Sequence, residues 1–233
     1  MLARPEVTLW SAQAPVHFER EYTAKRMAEL LIESGGVKFD FEKGYTFKSG
    51  IKSPMYVNCR QLFFEPERSA EVCELMKASL DPNSFDVVAG VESGANSPAR
   101  DLAMSMQKNH VFIRKEAKGH GTKDRIEQGD INGKRVLVVE DMFTTGGSSA
   151  SATQAVTDAG GTPVRCLSLA TYNFDSSRKA FEALGVPSTS LTNASAIIEA
   201  ALEKRLVTPQ QAELLRTWLV AANEEINQKE KIT

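Results

Sequence analysis

Two adjacent carboxylates, Glu140 and Asp141, stand at the end of the apolar run RVLVV (135–139) and are followed at once by Met142, Phe143, Thr144, Thr145, Gly146, Gly147 and Ser148. The paired glycines let the backbone fold tightly with its N–H groups turned inward. Together with the start of a following helix they make a cradle for an anion such as a phosphate. Thr144, Thr145 and Ser148 add hydroxyl donors. Carboxylates instead accept hydrogen bonds from vicinal hydroxyls, so a sugar that carries a phosphate satisfies both halves of the string. On a continuing strand the two acids would face opposite sides of a sheet; a strand ending at Glu140 lets both reach one ligand. Helix capping is the other use of Thr-Gly-Gly-Ser. It accounts for Ser148 but not for two acids after an apolar strand.

A second chemical segment lies between Lys108 and Arg125. It holds six Lys or Arg against two acids, Glu116 and Asp124, a local charge of +4 in a chain whose total is −2. Gly119 and Gly121 bracket His120 and let the segment bend. A flexible cationic flap suits a small polyanion, and a solvated charged loop is the plainer alternative. Nucleic-acid binding would want aromatic side chains among the cations, and Phe112 stands alone there. No GxxxxGK[ST] string exists, which excludes a P-loop, and the GxGxxG-like string at Gly119 is broken by Asp124.

The elements that must position these groups read as an α/β chain. Short apolar strands at 85–89, 110–113, 135–139 and 163–170 alternate with helical stretches at 97–108, 148–159 and 176–184. Buried strands joined by helices predict a parallel sheet flanked on both faces. Ahead of it lie an arm at 1–17, a helix over 18–34 stopped by Gly35-Gly36, and an extended stretch at 37–58 broken at Gly44, Gly50 and Pro54. A second helix starts at Pro66. Two more helices follow the core, at 194–206 and 209–227. The whole 1–233 reads as one domain, with an arm and hood to about 84, a core sheet over 85–190 and C-terminal helices from 191.

Composition is that of an ordinary globular protein: 42% of residues are hydrophobic and 25% charged, and the near-neutral total disfavours a general nucleic-acid binder. Cys59, Cys73 and Cys166 are odd in number and widely spaced, which fits buried free thiols rather than a disulfide framework or a metal site. Residues 1–19 have no apolar run, and no stretch is long enough to span a membrane, so the expectation is a soluble, cytoplasmic protein. His17 and His110 read as structural.

Three strings, in order along 36–219, carry a family resemblance. The acidic string at 140–148 resembles the sugar-phosphate loop of type I phosphoribosyltransferases. RKEAKGHG (114–121) is similar to the catalytic flap of the orotate-using branch of that family, and FKSGIKSP (47–54) to its N-terminal hairpin. The resemblance implies phosphoribosyl transfer from 5-phosphoribosyl 1-pyrophosphate to orotate, with Mg²⁺ held mainly by the pyrophosphate rather than by the protein. It implies that Lys118 and His120 touch the pyrophosphate, with Asp141 the third catalytic residue. Arg114, Lys115 and Lys48 would add phosphate contacts. Glu140 and Asp141 would hold the ribose hydroxyls, and residues 144–148 the 5-phosphate. Tyr56 would lie against the base, and Met142 and Phe143 complete the substrate-binding string. A homodimer with the flap acting across subunits is implied too.

The chain departs from the family pattern at three places. The loop 90–96 lacks a lysine, Tyr172 stands near where an arginine would meet the orotate carboxylate, and the acidic pair is Glu-Asp rather than Asp-Asp. Backbone N–H groups or Lys52 are the substitutes available for that arginine. A purine-salvage transferase and a non-catalytic sensor of the sugar diphosphate are the alternatives; the intact hairpin and flap strings weigh against both.

Overall fold

The structure is a computed structural model that describes residues 16–47, 50–116 and 125–232. Lys48, Lys118 and His120 fall outside the described residues. The described chain runs α1 (Val16–Glu33), β1 (Val37–Phe39), β2 (Tyr45–Thr46), β3 (Lys52–Ser53), β4 (Met55–Val57), a 3₁₀ turn (Cys59–Phe63) and α2 (Pro66–Ala78). It continues through β5 (Val87–Val91), α3 (Asn96–Ser105), β6 (Asn109–Ile113), β7 (Ile126–Glu127), β8 (Arg135–Phe143) and α4 (Gly147–Asp158). The last elements are β9 (Thr162–Thr171), α5 (Asp175–Leu184), β10 (Ser188–Asn193), α6 (Ala194–Glu203) and α7 (Pro209–Ile232).

Six strands form the main sheet in the order β10-β9-β8-β5-β6-β7, parallel except for β7. Every residue of β5, Val-Val-Ala-Gly-Val, is buried, as a central parallel strand covered on both faces demands. From β5 the chain crosses to β6 on one side, and from β8 to β9 on the other. Right-handed crossovers therefore place α3 and α4 on opposite faces. The reversal falls between β5 and β8, where sheets of this kind form their ligand crevice beyond the strand ends. Gly90 permits the close packing of α3 on β5: a Cβ there would lie 2.8 Å from the Ala99 Cβ and the Ala95 carbonyl.

Two strands escaped the sequence pattern. β10 reads Ser-Thr-Ser-Leu-Thr-Asn, too polar to register as a buried strand, yet it pairs with β9 along its length. β7 is two residues long and closes a hairpin with β6. β8 also continues four residues past the apolar run, and Met142 and Phe143 still pair with Ala170 and Thr171.

The hood is two small antiparallel pairs, β1 with β4 and β2 with β3. An aromatic box fastens it to the core. Tyr172, at the end of β9, stacks on Phe174 with centroids 5.5 Å apart and packs on Phe47 of the hood at 5.1 Å. Trp218 of α7 closes the box edge-on and donates its indole N–H to the Lys52 carbonyl at 2.7 Å. One buried apolar cluster extends from Met27 in α1 through the sheet to Ile226 in α7. Cys59, Cys73 and Cys166 are buried and free. Among the described residues no helix is long and apolar enough to cross a membrane.

Candidate active site

The acidic pair lies at the carboxyl end of β8, beside the crevice. Glu140 is only 6% exposed. Its Oε2 accepts the Ser149 hydroxyl at 3.0 Å and its Oε1 accepts the Asp141 backbone N–H, also at 3.0 Å. Burial, reinforced by the neighbouring Asp141 charge, holds the Glu140 carboxyl well above the usual carboxylate range. Asp141 is the more open partner, and the Arg60 Nε lies 3.8 Å from its Oδ2. The loop after β5 presses on the same carboxylate: a Cβ at Gly94 would overlap it. The strand does not end at Glu140 as one reading of the string required, because β8 runs on to Phe143. The carboxyls nevertheless stay close enough to influence each other, since Glu140 curls back onto its neighbour's N–H.

The anion cradle follows. Gly146 is the N-cap of α4, in the left-handed region at φ +82°, and no side chain caps the helix. The capping use of Ser148 is thereby excluded: Ser148 lies inside the first turn and is exposed. The first-turn N–H groups, at the positive end of the helix dipole, are left for an anion. Gly146 cannot be replaced freely, since a Cβ would lie 2.6 Å from the Ser177 Cα, whereas one at Gly147 meets nothing within 4 Å. Thr144, Thr145 and Met142 are half-buried. The Phe143 ring, by contrast, is committed to the core, packed at a tilt on Phe181 with centroids 5.0 Å apart, so the side chain is a packing group.

Around this centre the flap stem and the hood supply the remaining groups. Arg114 pairs with Glu127 at 3.1 Å across the β6–β7 hairpin. The Lys115 backbone N–H donates to Glu92 of the β5 loop at 3.2 Å, which draws the stem toward the crevice. Arg125 ties the other side of the stem to α4 through the Ser151 carbonyl and hydroxyl, each at 2.9 Å. Tyr56 is exposed and lies against Tyr45. Tyr172 offers no charge to a ligand: it is 5% exposed in the aromatic box, and its hydroxyl donates to the Met55 carbonyl at 3.3 Å. Burial raises its phenol pKa further. Half-burial lowers the pKa of His110, near the start of β6. Sequence reasoning missed Ser149 and Arg60. Ser149 is one of two adjacent serines, and only burial tells which of them meets Glu140.

The family description "Phosphoribosyl transferase domain" matches residues 61–204. An orotate phosphoribosyltransferase of Bacillus mycoides is 32% identical over 198 residues, which cover 83% of this chain and 93% of that protein. The crystal structure of orotate phosphoribosyltransferase from Aeropyrum pernix is similar at 27% identity and a TM-score of 0.66, covering 74% of this chain and 96% of that one. The Mycobacterium tuberculosis orotate phosphoribosyltransferase in complex with 5-phospho-α-D-ribosyl 1-diphosphate is also 27% identical, with a TM-score of 0.57, covering 75% and 98%.

Proposed function

The chain belongs to the phosphoribosyl transferase family, and from that membership we infer that it transfers the phosphoribosyl group of 5-phosphoribosyl 1-diphosphate to orotate, the orotidine 5′-monophosphate step of pyrimidine synthesis. The observation that carries this is the β8–α4 turn at the sheet's reversal point, where Glu140 and Asp141 adjoin an uncapped helix N-terminus. A phosphate on α4 and ribose hydroxyls on the acids orient one sugar phosphate. The orotate ring nitrogen then forms a bond to C1 as the C1–O bond breaks, and the electron pair leaves with the diphosphate.

Each part of the site has a role in this reaction. Glu140 and Asp141 hold the hydroxyls as C1 becomes electron-poor. Residues 144–148 hold the 5-phosphate. Lys118, His120 and Lys48 neutralise the leaving diphosphate, with Arg114 and Lys115 adding positive charge at the flap's base. Such electrostatic stabilisation of a leaving group lowers the barrier without a covalent enzyme intermediate. Tyr56 offers a face to the base. Mg²⁺ would be held mainly by the diphosphate, with the more open Asp141 carboxylate as the nearest hard oxygen donor, and would supply further charge neutralisation there. A cytoplasmic homodimer completes the reading. The exposed apolar side chains Phe64 and Met104 support it as surface that a second copy would cover.

The test is an assay with the sugar diphosphate and Mg²⁺ in which orotate, adenine and hypoxanthine are offered separately. Loss of orotate absorbance with stoichiometric pyrophosphate release is the expected result. Turnover with a purine base alone would refute the substrate assignment.

A further inference from the structure

Resting on that transfer reaction, we propose that Arg60, which pairs with Asp141, is a binding residue for the departing diphosphate.

Three observations converge on it. The first is local structure. Arg60 is the second residue of the 3₁₀ turn Cys59–Phe63, and its backbone N–H donates to the Asn58 side chain at 3.2 Å, which fixes where the side chain leaves the hood. Its predecessor Cys59 is buried near both Asp141 and Glu140, whose charges help push its thiol up. The turn is therefore seated against the acidic pair, with Arg60 on the solvent side. The second is the state of the ion pair. Nε to Oδ2 is 3.8 Å, and the Arg60 side chain is 57% exposed. Such a contact contributes little to stability and exchanges readily. The third is charge. The facing β5 loop, residues 92–95, packs Gly94 against Asp141 and carries no cation.

Stereochemistry then selects the ligand. In an α-configured ribosyl 1-diphosphate the diphosphate projects from the same ring face as the 2- and 3-hydroxyls, and the base must attack from the opposite face. A cation beside the carboxylate that takes those hydroxyls is thus placed for the diphosphate and not for the orotate carboxylate. A guanidinium offers a planar pair of N–H donors that matches two phosphate oxygens at once. When the sugar diphosphate enters, its hydroxyls take Asp141 and Arg60 turns to the phosphates. One exposed ion pair is exchanged for a charge-assisted contact.

The experiment runs the reaction backwards, from orotidine 5′-monophosphate and pyrophosphate, with Arg60→Gln and Arg60→Lys. Arg60→Gln should raise KM for pyrophosphate about tenfold and leave KM for the nucleotide within about twofold. Arg60→Lys should recover part of the loss. Calorimetric titration of magnesium pyrophosphate into each protein should show the same order without turnover. An unchanged pyrophosphate affinity would overturn the proposal, as would a rise confined to the nucleotide or to orotate, which would give Arg60 to the base. The titration needs no base, so a protein that bound magnesium pyrophosphate through Arg60 but turned over only purines would sink the orotate assignment and leave this one standing.

Discussion

The β8–α4 turn and the hood turn at 58–63 meet at the same carboxylate but are held in different ways. In the first, ten consecutive residues carry both the acids and the Ser149 hydroxyl that bonds Glu140, and Gly146 packs closely on Ser177 of α5. The hood turn belongs to a distant part of the chain, on a hood clamped to the core by Phe47, Tyr172 and Trp218. It meets Asp141 through one long, exposed ion pair. Glu140 and Gly146, on the side proposed for the sugar phosphate, are buried and locally braced. The group assigned to the departing anion is tethered by its backbone and left free at its tip.

The contrast can be broken from either side. Gly146→Ala should do the most damage. The left-handed backbone alone costs about 1–2 kcal/mol, and the new methyl would collide with Ser177. A melting temperature lower by about 5 °C or more is expected, with loss of sugar-diphosphate binding. Gly147→Ala is the matched control: the added methyl has open space and the melting temperature should hold. Equal losses in the two variants would mean that the turn is not braced at Gly146.

Glu140→Gln tests the buried acid with a smaller effect. Because the folded pKa lies above the unfolded one, the native state binds more protons between them. Stability therefore falls as pH rises out of the carboxylate range toward the folded pKa. Glutamine keeps one oxygen to accept from the Asp141 N–H, and its amide NH2 can donate to the Ser149 hydroxyl oxygen, without carrying that cost. The variant should gain melting temperature relative to the parent at pH 8 and gain less at pH 5, while sugar-diphosphate turnover declines. A gap independent of pH would show that Glu140 is not strained by burial.

Tyr172→Phe should have the smallest effect. It removes one long hydrogen bond to Met55, worth about 1 kcal/mol or less, and keeps the ring in the box. KM for orotate should not move in steady-state assays. A large rise would return Tyr172 to the ligand and make the hood attachment part of base recognition.

Much of the fold was legible because its signals are local. The apolar strands at β5, β6, β8 and β9 and the glycines at 35–36, 146–147 and 185 mark elements whose neighbours in sequence decide them. β10 was not legible, because a polar edge strand is held by pairing with β9 rather than by its own hydrophobicity. The acids and the cradle could be named as chemistry, but the end of β8 could not. An apolar run stops where burial by side chains stops, while the strand goes on as long as backbone partners exist on β9.

From its sequence alone this protein determined an acidic pair ahead of an anion cradle, a cationic segment and the α/β order that sets both at strand ends. These follow from side-chain type and short-range spacing, which need no partner far away in the chain. Only the tertiary structure decided that Ser149 rather than Ser148 meets Glu140, that Gly146 and Gly147 are unequal, that Tyr172 is walled into an aromatic box, and that Arg60 stands beside Asp141. Each depends on which distant groups share a volume, and a linear pattern of hydrophobicity and charge does not contain that.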